Sequence, residues 1–177
     1  MRFLALFVLV LAVVPVPVSS ALAREDTRTT RLTSLESAVV RELNRVRTAR
    51  NLQPLRTAPS LRSAARSHTK AMLDFGFFGH DSMDGTAFSE RIKRFYTNRG
   101  WHSWSVGEAL LASQSPTTQA SAIVAAWLDS RPHREIILSP AWRDVGIGAL
   151  YAPVAPREFG NAQTVAVTAD FGLRTGR

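Results

Sequence analysis

Cysteine is absent from all 177 residues. That excludes disulfides, thiolate-bound zinc, a thiol nucleophile and a lipid-anchored N-terminal cysteine. Lysine is nearly absent as well: Lys70 and Lys93 stand against 20 arginines. The net charge of +8 is scattered, with no run of five or more like charges. Such scatter argues against a nucleic-acid interface and leaves a basic surface that attracts anionic lipid, wall polymer or polysaccharide only non-specifically. After residue 23 no segment is long and apolar enough to span a membrane, and there are no repeats or low-complexity tracts. Also missing are a G-x-S-x-G elbow, an H-E-x-x-H helix, a phosphate-binding glycine loop and Asn-x-Ser/Thr acceptors.

The N-terminus is distinctive. Arg2 precedes an apolar run from Phe3 to Val14, Pro15 and Pro17 break it, and Ala21-Leu22-Ala23 fits small-x-small cleavage. Residues 1–23 therefore read as a signal peptide, 24–33 as a flexible lead and 34–175 as one domain. The expected destination is the extracellular space or the cell envelope. At 45% hydrophobic and 20% charged residues over its full length, the chain reads as globular, and the part beyond residue 23 is large enough for its own core. Without disulfides, packing alone must hold it.

Thr33-x-x-Glu36 reads as a capping box, and Leu35, Val39, Leu43 and Val46 form one helical stripe. A second helix, capped by Thr57 or Ser60, runs through Leu61, Ala64, Ala65 and Met72 and stops at the glycine-rich 74–79 stretch, which delivers His80 onto a loop. A short helical piece over 88–95 comes next. Residues 101–111 form an extended segment carrying Glu108. Ser115 to Thr118 opens a further helix with Ile123, Val124, Trp127 and Leu128 buried; Ser130-Arg131-Pro132 ends it, placing His133 just beyond. Val145–Tyr151 and Thr164–Phe171 alternate as strands, with a loop over 153–161 that makes them an antiparallel pair. The order predicts an α+β fold, a three-layer α-β-α sandwich with a small antiparallel sheet.

Three pieces carry the chemistry: Gly79-His80, Gly107-Glu108 and the segment opening at His133. Two imidazoles and a carboxylate are the minimal kit for a divalent metal or a general acid–base site. Taken singly, a histidine beside a helix end is more often a hydrogen-bonded structural residue, and His68 and His102 take that reading. Ser67-x-x-Lys70 has the spacing of penicillin-recognising enzymes but lacks their companion motifs. Asp81-x-x-Asp84-Gly85 lacks the ligand spacing of a calcium loop.

Taken in order, Leu43-Asn44-x-x-Arg47, Leu52-x-Pro54-Leu55, Leu61-x-x-Ala64-Ala65-x-x-His68 and Phe77-Phe78-Gly79-His80 resemble the CAP superfamily. Phe88-x-x-Arg91-Ile92, Gly107-Glu108, Ala126-Trp127-Leu128-Asp129-Ser130 and His133-Arg134-x-x-Ile137-Leu138 continue the match. Val145-Gly146-Ile147-Gly148 and Asp170-Phe171-Gly172 close it, over about residues 34–173. The resemblance is to the SCP-like domain shared by cysteine-rich secretory proteins, antigen 5 and pathogenesis-related proteins, and the chain looks most like the cysteine-free bacterial secreted branch. The resemblance implies a central cleft lined by His80, Glu108 and His133, with Ser130 where many members carry a second glutamate. It implies His80 and His133 as ligands for zinc or another divalent ion. Ala109 and Ile136 stand where the family usually has asparagine, and Pro132 where it has glycine, which thins the support of the site.

Three functional readings follow. In the first the cleft binds an extracellular lipid, glycan, wall component or protein, without established catalysis. In the second a zinc held by His80 and His133 activates water with Glu108 as base. In the third the trio is structural, with Glu108 bridging the two histidines.

Overall fold

The computed structural model describes residues 29–115 and 118–176. The expected signal peptide lies outside the described residues, as do Pro116 and Thr117 of the expected helix start. A helix α1, Thr33–Thr48, follows a two-residue strand β1, Thr30–Arg31. Next come β2, Arg56–Thr57; α2, Pro59–Phe75; and α3, Phe88–Lys93. The remainder is β3, Ser103–Ser113; α4, Ala120–Asp129; α5, Arg131–Ile137; β4, Asp144–Ala155; and β5, Ala162–Thr175.

One sheet organises the molecule, in the order β1-β4-β5-β3, with β2 also against β4. The long strands pair antiparallel; only β2 runs parallel to its neighbour. Strand alternation then divides the core. Val165, Val167, Ala169 and Phe171 of β5, with Val145, Ile147 and Ala149 of β4, face α1, α4 and α5. Ala166 faces the opposite side with Leu73 of α2, and Thr168 meets Thr69 of α2 at 2.8 Å. Helices on both faces of a sheet make the expected α-β-α sandwich.

The approach of α2 to the sheet is close enough to demand glycine. A Cβ on Gly146 would lie 2.0 Å from the backbone nitrogen of Arg62, and one on Gly148 2.4 Å from that of Arg66. α2 ends at Gly76, whose φ of 68° is the left-handed stop that releases the chain toward His80.

Local differences from the sequence expectations have identifiable causes. Thr33 is not a cap: Leu32 occupies that position, and the Glu36 side chain turns inward to Arg66 and to the Ala149 amide. Burial of a carboxylate against a guanidinium wins over local capping. Neither Thr57 nor Ser60 caps α2; Ala58 precedes Pro59, and proline is suited to the first helical turn. The same principle reverses the expectation at Pro132, which starts α5 instead of ending α4, so His133 lies inside a helix. α4 itself begins at Ala120 after Gln119. The 153–161 stretch is only partly loop, since β4 runs to Ala155 and Arg157–Phe159 forms a 3-10 turn. The last residues of the expected flexible lead are paired: Thr30 and Arg31 face Tyr151 and Leu150, and the Leu32 amide donates to the Ala149 carbonyl at 2.8 Å.

Candidate functional site

Among the described residues β3 is the last strand of the sheet, and one of its sides has no neighbouring strand. A cleft of about 290 Å³ opens along it. Val106, Gly107 and Glu108 form its floor; His80 and Phe88 form one wall, and Pro132, His133, Ile136 and Trp142 the other. Gly107 is required here, because a Cβ would lie 2.9 Å from Cζ2 of Trp142. The Trp142 indole is fixed by its Nε1 donating to the Ile136 carbonyl at 2.9 Å.

Glu108 is buried, and both its oxygens are engaged. His80 Nδ1 lies 2.9 Å from Oε1, and Arg91 Nη2 donates to Oε2. Arg91, buried on α3, also donates to the His80 carbonyl at 3.1 Å and so ties the loop to the helix. His68 of α2 holds the preceding carbonyl, that of Gly79, at 2.9 Å, which bears out a structural role for it. Burial pushes the Glu108 carboxyl up, but the His80 hydrogen bond and the Arg91 charge outweigh it and hold the carboxyl below its usual range. In return the Glu108 hydrogen bond raises His80 above an ordinary imidazole. His133 is lowered by burial and by the nearby His80 charge, and its buried Nδ1 has no hydrogen-bond partner among the described residues.

His80 and Glu108 therefore meet directly, while His133 faces them from α5. Glu108 bridges His80 and Arg91, not the two histidines. Ser130 does not line the cleft; its extended backbone is the hinge between α4 and α5, accepting from the Arg134 amide at 2.9 Å.

Two members of the cluster escaped the sequence reading. Arg91 is one. The other is Asp170, which sits directly across from Glu108 on β5 and is fully buried. Burial and the Glu108 charge push Asp170 well above the normal carboxylate range, which favours its protonated form. Neither of its oxygens meets a donor among the described residues. A protonated carboxyl resolves that by donating its own proton to the neighbouring carboxylate. The available signal was a charge at an inward position: Asp170 follows Ala166 and Thr168 on the face of β5 turned to α2.

The fit to a metal is poor in this arrangement. A catalytic zinc takes three protein ligands and an open position. The Glu108 oxygens are already committed, one of them to a cation, which leaves two imidazoles. Among the described residues no group of three or more His, Cys, Asp or Glu side chains is arranged to hold a metal ion.

The profile of the cysteine-rich secretory protein family (CAP) matches residues 40–159. The uncharacterized protein YkwD of Bacillus subtilis is 29% identical over 117 residues, which is 66% of this chain and 43% of that protein. The chain thus spans under half the length of that relative. Among solved structures, an outer surface protein of Borrelia burgdorferi superposes with a TM-score of 0.66 at 19% identity, over 84% of this chain and 99% of that one. An extracellular protein containing an SCP domain, from Bacillus anthracis, gives a TM-score of 0.58 at 22% identity, over 78% of this chain and 40% of that one. Both likenesses are likenesses of fold.

Proposed function

This chain belongs to the cysteine-rich secretory protein (CAP) family, and from that premise we propose that it is an exported binding module whose cleft along β3 takes an extracellular ligand. The observation that carries the reading is the locked state of Glu108 within a cleft whose other lining is apolar apart from two imidazoles. Phe88, Val106, Pro132, Ile136 and Trp142 supply contact surface, and the imidazoles at the mouth supply orientation. Export is supported by the leader pattern in residues 1–23 and by relatives named as outer-surface and extracellular proteins. No helix among the described residues is long and apolar enough to cross a membrane. The ligand is a lipid, glycan, wall component or protein segment small enough in cross-section to enter about 290 Å³.

The hydrolase alternative has less support. A general base works best with a pKa near the operating pH, and Glu108 is held in the opposite direction by Arg91 and His80. Among the described residues no nucleophilic hydroxyl or thiol lines the cleft. Within the binding reading Glu108 is a structural member, anchoring the His80 wall.

The reading is tested by titrating the exported protein with small aromatic and aliphatic acids and amides while recording amide chemical shifts. Shifts concentrated at 106–108, 132–136 and Trp142, and lost in Ile136→Asp, are expected. Shifts scattered over the surface, or indifferent to Ile136→Asp, would sink it.

A further inference from the structure

Strand register shows which backbone groups of β3 face the cleft. Gly172 of β5 accepts from the Arg143 amide beside β4, so even-numbered residues of β5 turn their backbone groups toward β4. Odd-numbered ones then turn toward β3, where Phe171 is opposite Gly107 and Ala169 opposite Ala109. It follows that odd-numbered residues of β3 complete the ladder and that Trp104, Val106, Glu108 and Leu110 point their N–H and C=O groups away from the sheet. Leu110 confirms the parity: its carbonyl accepts from the Trp127 indole of α4 at 2.9 Å.

α4 thus covers the edge at Leu110. At Val106 and Glu108 no protein group among the described residues hydrogen-bonds the outward amides and carbonyls. Glu108 is nonetheless buried, and both residues form the cleft floor. Unsatisfied backbone groups in a buried edge are unfavourable, and an exposed edge strand is a template for another strand. The two walls lie on opposite faces of this edge, His80 and Phe88 toward α3, Ile136 and Trp142 toward α5. An added strand projects successive side chains to opposite faces, so each wall would receive alternate residues.

We propose that the ligand of the cleft is an extended peptide that adds to β3 as a further strand, bonding the outward groups of Val106 and Glu108 and placing successive side chains against alternate walls. This rests on the binding reading above and gives it a ligand class. Charge narrows the class further. Arg91 neutralises Glu108 and the chain is +8 overall, so a neutral-to-acidic segment is favoured over a basic one.

The probe is an acetylated, amidated hexapeptide Glu-Val-Thr-Val-Thr-Val, measured by calorimetry and amide shifts against two versions N-methylated at alternate residues. Strand addition uses only one alternate set of peptide amides. One methylated version is therefore expected to bind at least about tenfold more weakly and the other within about twofold. A Lys-for-Glu version should bind more weakly at low salt. Val106→Pro removes an outward amide without touching the β3–β5 ladder, a position where an edge strand tolerates proline, and should weaken the peptide about tenfold. If that variant misfolds, the methylated peptides decide with the unaltered protein. Equal effects of the two methylation sets, or no peptide binding at millimolar concentration while the small acids and amides still shift the cleft, overturn strand addition alone. Loss of the small-molecule shifts as well removes the binding reading beneath it.

Discussion

Asp170 shows how far a single residue can depart from its type. Its folded pKa is raised above the unfolded value of about 3.9, so the native protein binds a proton that the unfolded chain releases. Stability on its account is intact below pH 4 and falls as pH rises toward the folded pKa. Asp170→Asn keeps the shape and a donor for Glu108 but removes the ionisation. Urea unfolding should show little difference from the parent at pH 3.5 and a gain of about 1 kcal/mol or more at pH 7. No gain with pH would mean that Asp170 is ionised. Glu108→Gln acts in the opposite sense, because Arg91 would lose the carboxylate that balances a buried guanidinium. A loss of about 3–5 kcal/mol is expected, together with a fall in the His80 pKa followed by NMR. Glu108 was readable as a site residue beside its glycine. Arg91 and Asp170 were not singled out, since what makes them matter is being across a strand from Glu108 or one helix away.

At the scale of elements, α1, α2, α4, β4 and β5 follow from periodicity, β3 alternates poorly, α5 went unread, and the other errors collect at element ends. Pro132 illustrates why: the ring that forbids a helix interior is welcome in a first turn, and only the next elements decide which it is. Glycines divide in the same way. Gly146 is where the α2 backbone lies on β4, and a Cβ there would meet backbone atoms that cannot rotate aside. Gly146→Ala should destabilise by about 3 kcal/mol or more, at the top of the range for overpacking. Gly79, with nothing within 4 Å of its virtual Cβ and no positive φ, should accept alanine within about 0.5 kcal/mol. Urea midpoints of the two variants check the contrast; equal losses would mean that α2 stands off the sheet.

For the whole molecule, the absence of disulfides leaves stability to two layers of helices packed on one sheet. The N-terminal rung contributes to that closure: β1 pairs with β4 and Leu32 packs against the main core. Removing residues 1–28 and removing residues 1–32 should therefore differ. The longer deletion takes away the rung and Leu32 and should lower the melting temperature by several degrees relative to the shorter one, about 2–4 °C for each kcal/mol lost. Identical melting curves would show that the rung adds nothing.

Sequence order alone determined the α+β class, the antiparallel β4–β5 pair, the loop position of His80 and the strand position of Glu108. These rest on local periodicity, on turn residues and, for Glu108, on the aromatic and apolar content around Gly107, all of which act within a few positions of themselves. Tertiary structure decided the rest. It put Arg91 and Asp170 around Glu108, moved Glu36 from cap to core, set His133 in a helix facing the cleft, and made β3 an edge with outward backbone groups. Each of these depends on which strand lies beside which and which helix covers which face. Such neighbours are brought together by burial of apolar surface over long stretches of chain, and no local pattern records them.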